Sequence, residues 1–302
     1  MTPANLLQLI ILAAIWGASF LFMRIAVPAL GPVWLIEWRV LLGALLLALA
    51  GRWFRHSLAW RTHWRHYLVL GLFNSALPFV LFAWAAQTLT ASLLSVVNAT
   101  APIWGAVIAW AWSREPLRGR VAAGLALGVA GVALLMGLDP AMLKPGSGWV
   151  LAGVLLAPCC YAIASHYAKS TRNALLPYAN AHGSMWAATL LLWPVLPFAG
   201  HAPLPETATP VLVWGAVLGL GLLCTGLAYL MYFRLVAALG AASALTVTFL
   251  IPVFGILWGH LFLGEAVGWQ TLFGALVVLT GTALVTGFDP RTLWARKAVP
   301  HG

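Results

Sequence analysis

Three prolines set in apolar stretches each follow a polar side chain by four residues: Pro78 after Asn74, Pro102 after Asn98 and Pro252 after Thr248. Proline has no N–H, so within a helix each leaves the carbonyl one turn back without its partner. In hydrocarbon such a carbonyl must be satisfied by a side chain, a water or a bound molecule. Carbonyls 74, 98 and 248, with the amides and hydroxyl beside them, are therefore a candidate polar patch near mid-membrane. The chemistry they offer is binding. Residues for bond breaking are missing: the sequence has no HExxH, no GxxxxGK[ST] and no grouped Ser, His and Asp. No enzyme activity, cofactor, metal site or ATPase partner is expected.

Charge within the apolar stretches is sparse. Glu37 and Arg39 lie two apart near the start of one of them, where a mutual or interfacial role is expected. Ionisable residues inside a membrane mark ion paths or counter-ions. No carboxylate sits mid-helix elsewhere, which argues against a cation-drug antiporter built on a central Glu and a phosphate-ester carrier built on central Lys or Arg. Movement down a gradient is expected, or protons carried by a group not yet identified. His166, His182 and His260 read as hydrogen-bonded structural residues.

The elements that must position these residues come from a duplication. The segment 91–115, ASLLSVVNATAPIWGAVIAWAWSRE, aligns without a gap on 241–265, AASALTVTFLIPVFGILWGHLFLGE. Pro102 meets Pro252, Gly105 meets Gly255 and Glu115 meets Glu265. The same shift of about 150 residues carries Gly71 to Gly221, Gly124 to Gly274, Gly131 to Gly281, Gly137 to Gly287 and Asp139-Pro140 to Asp289-Pro290. Chance apolar similarity would not keep Gly, Pro, Glu and Asp in one frame. Pro102, Gly105, Pro252 and Gly255 are thereby candidate paired hinges.

The chain of 302 residues is 63% hydrophobic and 7% charged, with mean hydropathy +0.96. A soluble domain carries about 25% charged residues, so this chain cannot wet its own surface. Spans of about 20 apolar residues recur ten times, near 6–27, 33–50, 67–88, 91–113, 117–137, 149–169, 176–199, 210–236, 241–263 and 267–287. The formal charge of +10 sits between these spans, without the basic stripe and interleaved aromatics of a nucleic-acid binder. Arg52, Arg55, Arg61, Arg65, Arg114, Arg118, Arg120, Lys169, Arg172, Arg234, Arg291, Arg296 and Lys297 fall on one side, against little more than Arg24 and Lys144 on the other. The positive-inside rule then places both termini in the cytoplasm. Five spans per repeat is an odd number, so the second repeat enters the membrane inverted. The expectation is an all-α membrane protein: a first repeat at 1–140, an inverted second repeat at 141–290 and a cytoplasmic tail at 291–302. Inverted repeats build the two access states of many secondary transporters around one central site.

Other features read as structure. Gly124, Gly128 and Gly131, with Gly274 and Gly281, give small helix faces for close packing. Glu115 and Glu265 stand at the start of the helices that carry those faces, where a carboxylate complements the helix dipole. The stretch 52–66, RWFRHSLAWRTHWRH, could offer His63 and His66 to a metal or its arginines to anionic lipid, but positive-inside charge with interfacial tryptophans explains it. Cys159, Cys160 and Cys224 lie in apolar segments and read as buried thiols. The first span lacks a basic leader and a cleavage site and reads as a retained helix.

Trp16-Gly17-Ala18-Ser19-Phe20 resembles the first-helix signature of the drug/metabolite transporter superfamily, EamA type. Pro252-x2-Gly255, then Leu263-Gly264-Glu265 and a Gly-rich last helix, resembles the end of an EamA repeat. The resemblance covers nearly the whole chain. It departs where Ser113-Arg114 precedes Glu115 in place of Leu-Gly, and in the sixth span, which lacks a Trp-Gly start. It implies an exporter of small metabolites in the inner membrane, with a cavity lined by spans 1, 3, 4, 6, 8 and 9. On overall look, the chain is similar to the aromatic amino-acid exporters of that superfamily.

The candidate wall is Trp16, Asn74, Phe79, Ser95, Asn98, Tyr161, Tyr229 and Thr248. Aromatic faces with a few amides and hydroxyls suit a small ligand with a bulky apolar body. A lone charge would be desolvated there without a partner, whereas a zwitterion could share the freed carbonyls and amides. The expected partners are a small-molecule substrate, most simply a hydrophobic amino acid, and the lipid bilayer, with no nucleic acid. The sequence leaves the oligomeric state open, and a monomer suffices. The alternatives are a multidrug or other metabolite permease of the same superfamily, or a membrane-embedded enzyme or scaffold.

Overall fold

The computed structural model describes residues 2–53, 58–113, 118–138, 147–171, 175–200 and 210–287. Glu115, Asp139-Pro140, Asp289-Pro290 and the tail 291–302 lie outside the described residues, as do Arg55, Arg114, Lys144 and Arg172. Among the described residues there is no strand, and the helices form ten membrane-crossing units. These are α1 (Pro3–Leu30), α2 (Pro32–Trp53), α3 (Trp60–Ala85), α4 (Ala91–Trp112), α5 (Gly119–Leu138), α6 (Ser147–Ser170), α7 (Pro177–Leu192), α8 (Pro210–Leu239), α9 (Val247–Leu263) and α10 (Trp269–Thr286). Seven of them are long and apolar enough to cross a membrane outright. α5 and α9 are shorter, and α7 is completed by a 3-10 segment, Trp193–Phe198. The chain is a multi-pass membrane protein.

Local sequence explains the helix ends. Thr2 accepts a hydrogen bond from the Asn5 N–H at 3.3 Å, with Pro3 in the first turn of α1. Gly31, at φ 73°, lets the chain reverse into α2. Thr90 caps α4 by accepting from the Leu93 N–H at 3.1 Å. Leu35, Ile36 and Val40 of α2, Phe82 of α3, Leu94 and Val97 of α4 and Val217 and Leu220 of α8 share one buried apolar cluster.

The two repeats are related by a two-fold operation, visible where α5 meets α10. A Cβ on Gly124 would stand 2.7 Å from the Gly281 carbonyl oxygen, and one on Gly281 would stand 2.7 Å from that of Gly124. Exchanging the repeats turns this pair into Gly274 and Gly131, which also face each other: a Cβ on Gly131 would lie 3.1 Å from the Gly274 oxygen. Only glycine admits backbones at that distance. The small-residue faces are the seam on which the repeats are joined.

The irregularities of the helices differ from the expectation. α4 breaks, with helical segments Ala91–Asn98 and Ala101–Ser113 on either side of a turn at 99–100. The loosened carbonyls find hydroxyl partners: Val97 O accepts from Thr100 in the same turn at 2.7 Å, and Ala99 O from Thr282 of α10 at 2.9 Å. In the second repeat Pro252 lies inside the unbroken α9, and the irregular turn falls earlier, at 245–246. The two proline helices therefore do not share one conformation.

The more regular pair of irregularities lies elsewhere. Gly71–Ala76 in α3 and Gly219–Leu227 in α8 are π-helical, at matching positions of the two repeats. Pro78 follows the first, but its counterpart in α8 is Ala228, so proline is not what sets the π geometry. Glu265 is also corrected. It does not cap α10, whose N-cap is Gly268, but reaches across to the N-terminus of α4. There it accepts from the Ala91 N–H (2.6 Å), the Ser92 N–H (3.0 Å) and the Ser92 hydroxyl (2.6 Å).

Candidate functional site: an aromatic cluster around Arg39

The two π segments place the polar residues of the site. A π turn inserts one extra residue, which rotates the following side chains and leaves backbone groups out of register. In α8 the Thr225 hydroxyl donates to Leu220 O at 2.9 Å, meeting one such group. The neighbouring Cys224 thiol donates to Ile15 O at 3.0 Å, and Trp258 Nε1 donates to Ala14 O at 2.9 Å. Those two donors fix α1 directly beside Trp16. In α3 the π segment carries Asn74, whose amide lies beside the Tyr229 hydroxyl.

Around these groups the aromatic residues of α1, α3, α6 and α8 gather in two sets of ring contacts. The Trp16 ring lies edge-on to Tyr229 at 6.4 Å and tilted against Tyr232 at 5.5 Å. Tyr229 stacks on Phe233 at 5.9 Å. In the second set, Tyr161 sits edge-on to Phe79 at 6.5 Å and stacked on Phe82 at 6.4 Å, and Phe82 meets Phe20 at 5.5 Å. Centroid separations of 4.5–7 Å are favourable for such pairs. Trp16, Tyr161, Tyr229 and Phe233 pack on the buried core while remaining partly accessible, which is the condition of residues that border a space inside the bundle.

Arg39 enters this wall from α2, and here the sequence expectation is overturned. The residue is 6% exposed. Its guanidinium carbon lies 3.7 Å from the centre of the Phe79 ring, and its Nε donates to the Thr225 hydroxyl at 3.1 Å. Tyr161, Tyr229 and Cys224 are within its electrostatic range. It forms no pair with Glu37, whose two carboxylate oxygens have no hydrogen-bond partner among the described residues. Residues two apart on a helix point to different faces, so Glu37 cannot follow Arg39 into the cluster. The wall thus carries a full positive charge, contrary to the expectation of an uncharged one.

Of the eight wall candidates, the structure gathers Trp16, Asn74, Phe79, Tyr161 and Tyr229. Asn98 is half-buried at the break in α4, and its amide makes no hydrogen bond among the described residues. Ser95 does not line the space. It is wholly buried, donates to Ser92 O at 2.7 Å, and occupies the close contact between α4 and Gly255 of α9. Thr248 turns its hydroxyl onto Leu245 O at 2.8 Å in the first turn of α9, so it serves the turn that the helix begins from. Of the hinge glycines, Gly255 is packed against Ser95 while a Cβ on Gly105 would meet open space. Arg39, Thr225, Tyr232, Phe233 and Phe82 were missed as wall residues. The match of Gly71 with Gly221 was the signal that could have led to Thr225, because each glycine opens or closely follows the start of a π segment.

Three histidines are hydrogen-bonded within the bundle, whereas His166 makes a ring contact with Trp112 at 5.3 Å. His66 is bonded to Asn180 Oδ1 at 3.1 Å, His182 Nε2 accepts from Trp186 Nε1 at 3.0 Å, and His260 Nδ1 lies 3.0 Å from Glu265 O. α3 begins at Trp60, so the stretch read as a loop to His66 is partly helix.

Comparison with known proteins gives this geometry a context. Residues 4–137 and 148–287 each match the EamA-like transporter family. An uncharacterized transporter of Bacillus subtilis, YvbV, is 28% identical over 92% of this chain and 90% of its own length. A probable terminal-alkyne amino-acid exporter of Streptantibioticus cattleyicolor is 26% identical over 72% of this chain and 70% of its own. A solved crystal structure superposes with a TM-score of 0.63 at 18% identity, covering 97% of this chain and 99% of that one, which shows a common fold.

Proposed function

The chain belongs to the EamA-like transporter family, and from that premise we propose that it exports hydrophobic, most simply aromatic, amino acids by alternating access. The observation that carries the substrate class is the ring wall of Trp16, Phe79, Tyr161 and Tyr229 at the centre of α1, α3, α6 and α8. Each ring pair formed with an aromatic substrate contributes about 0.5–1.5 kcal/mol beyond burial. The Asn74 amide among the rings, and the Asn98 amide at the break in α4, supply polar contacts beside the Arg39 charge that fix orientation. The relative named as a probable amino-acid exporter supports the same class. The protein sits in the inner membrane with both termini cytoplasmic, following the excess of Lys and Arg on that side. The two unlike proline helices support alternating access, since a two-fold pair must adopt unequal conformations for one side to open at a time.

The test is uptake into proteoliposomes of labelled Phe, Trp, Leu, Glu and Lys. Phe and Trp are expected to be carried well above Glu and Lys. Preference for Glu or Lys, or no uptake of any of the five, would sink the proposal. A reporter fused after Gly302 is expected to read as cytoplasmic.

A further inference from the structure

Arg39 has five N–H donors, and the structure uses one. Nε is committed to Thr225, at 3.1 Å, and the flat face of the guanidinium lies on Phe79. Those two contacts leave the Nη groups without a hydrogen-bond partner among the described residues, and no carboxylate there pairs with Arg39. Neither Nη is among the fully enclosed polar atoms that lack a partner, so both keep accessible surface, with Tyr161 and Tyr229 within electrostatic range. An unpaired charge at 6% exposure within the membrane span is costly to maintain. Thr225, stiffened by its own bond to Leu220 O, and the Phe79 face hold the fork in one orientation.

We propose that Arg39 is the residue that selects a substrate carboxylate, and that Thr225 and Phe79 are positioning residues that aim it. The geometry deepens the amino-acid reading above and rests on it. A planar guanidinium whose Nη1/Nη2 edge is free matches a carboxylate in bidentate form, which a lysine ammonium would not reproduce. With the carboxylate on Arg39, the apolar body of the substrate falls among Trp16, Tyr161 and Tyr229. Its ammonium is left to ring faces and the Asn74 amide, so the amino group contributes less to recognition than the carboxylate.

The experiment measures binding to the detergent-purified protein by quenching of intrinsic tryptophan fluorescence. The probes are phenylalanine, phenylalaninamide and 3-phenylpropanoate, in a low-salt buffer free of chloride and of carboxylate anions. Phenylalanine and 3-phenylpropanoate are expected to bind roughly 10- to 100-fold more tightly than the amide, the range of a single charge-assisted hydrogen bond. Arg39→Gln is expected to erase that ratio, and Arg39→Lys and Thr225→Val to reduce it while aromatic binding persists. Equal binding of phenylalanine and its amide by the wild type overturns the proposal, with no variant needed. So does an unchanged ratio in a monodisperse Arg39→Gln protein, or competition by chloride as effective as that by 3-phenylpropanoate. If 3-phenylpropanoate binds through Arg39 but no amino acid is carried, the carboxylate site stands and the amino-acid reading falls. If amino acids are carried and the amide equally so, the reverse holds.

Discussion

At the scale of single residues the wall works through ring contacts and a few placed dipoles. Trp16 meets two tyrosines, at 6.4 and 5.5 Å, so Trp16→Ala removes one wall of the space and frees Tyr229 and Tyr232 to reorient. Phenylalanine binding is expected to weaken by about 1–2 kcal/mol, roughly 5- to 30-fold, measured as a shift in half-saturation for uptake. Asn98 makes no hydrogen bond within the described residues, so Asn98→Ala should cost little stability. Transport of phenylalanine is expected to drop with it. Undiminished transport would remove Asn98 from the site.

Helices and their ends set the next scale. Glu265 receives two backbone N–H groups and a hydroxyl at the start of α4, and that helix end is buried from Ala91 to Val97. Losing the carboxylate leaves those donors unmet, at about 1–3 kcal/mol for each buried one. Glu265→Ala is therefore expected to lower the melting temperature in detergent clearly, with Glu265→Gln intermediate because it still accepts. The prolines separate by the same logic. Pro102 follows a real break, so Pro102→Ala lets the helix close through 99–100 and should change the transport rate. Pro252 sits in a continuous helix, and Pro252→Ala should change it less. Equal effects from the two would show that the difference between α4 and α9 has no consequence for transport.

For the whole molecule, the two-fold seam between α5 and α10 is the feature on which both repeats depend. A side chain at Gly124 or Gly281 would run into the opposite backbone, at 2.7 Å for the first carbon. Gly281→Leu is expected to yield little folded protein by size-exclusion chromatography, as overpacking by several methylenes costs more than about 1–3 kcal/mol. Gly105→Leu, facing open space, is expected to fold. Finding the two equally tolerated would mean that the seam opens easily.

The sequence by itself determined the class, the duplication and the membrane-crossing helices. Those follow from one-dimensional properties: apolar length against the thickness of a bilayer, and Gly, Pro, Glu and Asp held in one frame. It also marked the glycine faces as close-packing surfaces, because close backbones favour glycine at that spacing, but not which helices they join. It singled out five aromatic and amide residues of the cluster, since large rings and amides in an apolar span have few other uses. What the tertiary structure decided was how those helices meet. Arg39 counted from the start of its span looked interfacial, yet its long side chain crosses to Thr225 of α8, a distance of 186 residues along the chain. Glu265 looked like a cap for its own helix and caps one from the other repeat. Ser95 and Thr248 carried polar groups of the right kind, but packing and local turns used them first. A side chain's partner depends on which helix faces it, and the facing helix is set by packing over the whole bundle rather than by the residues on either side.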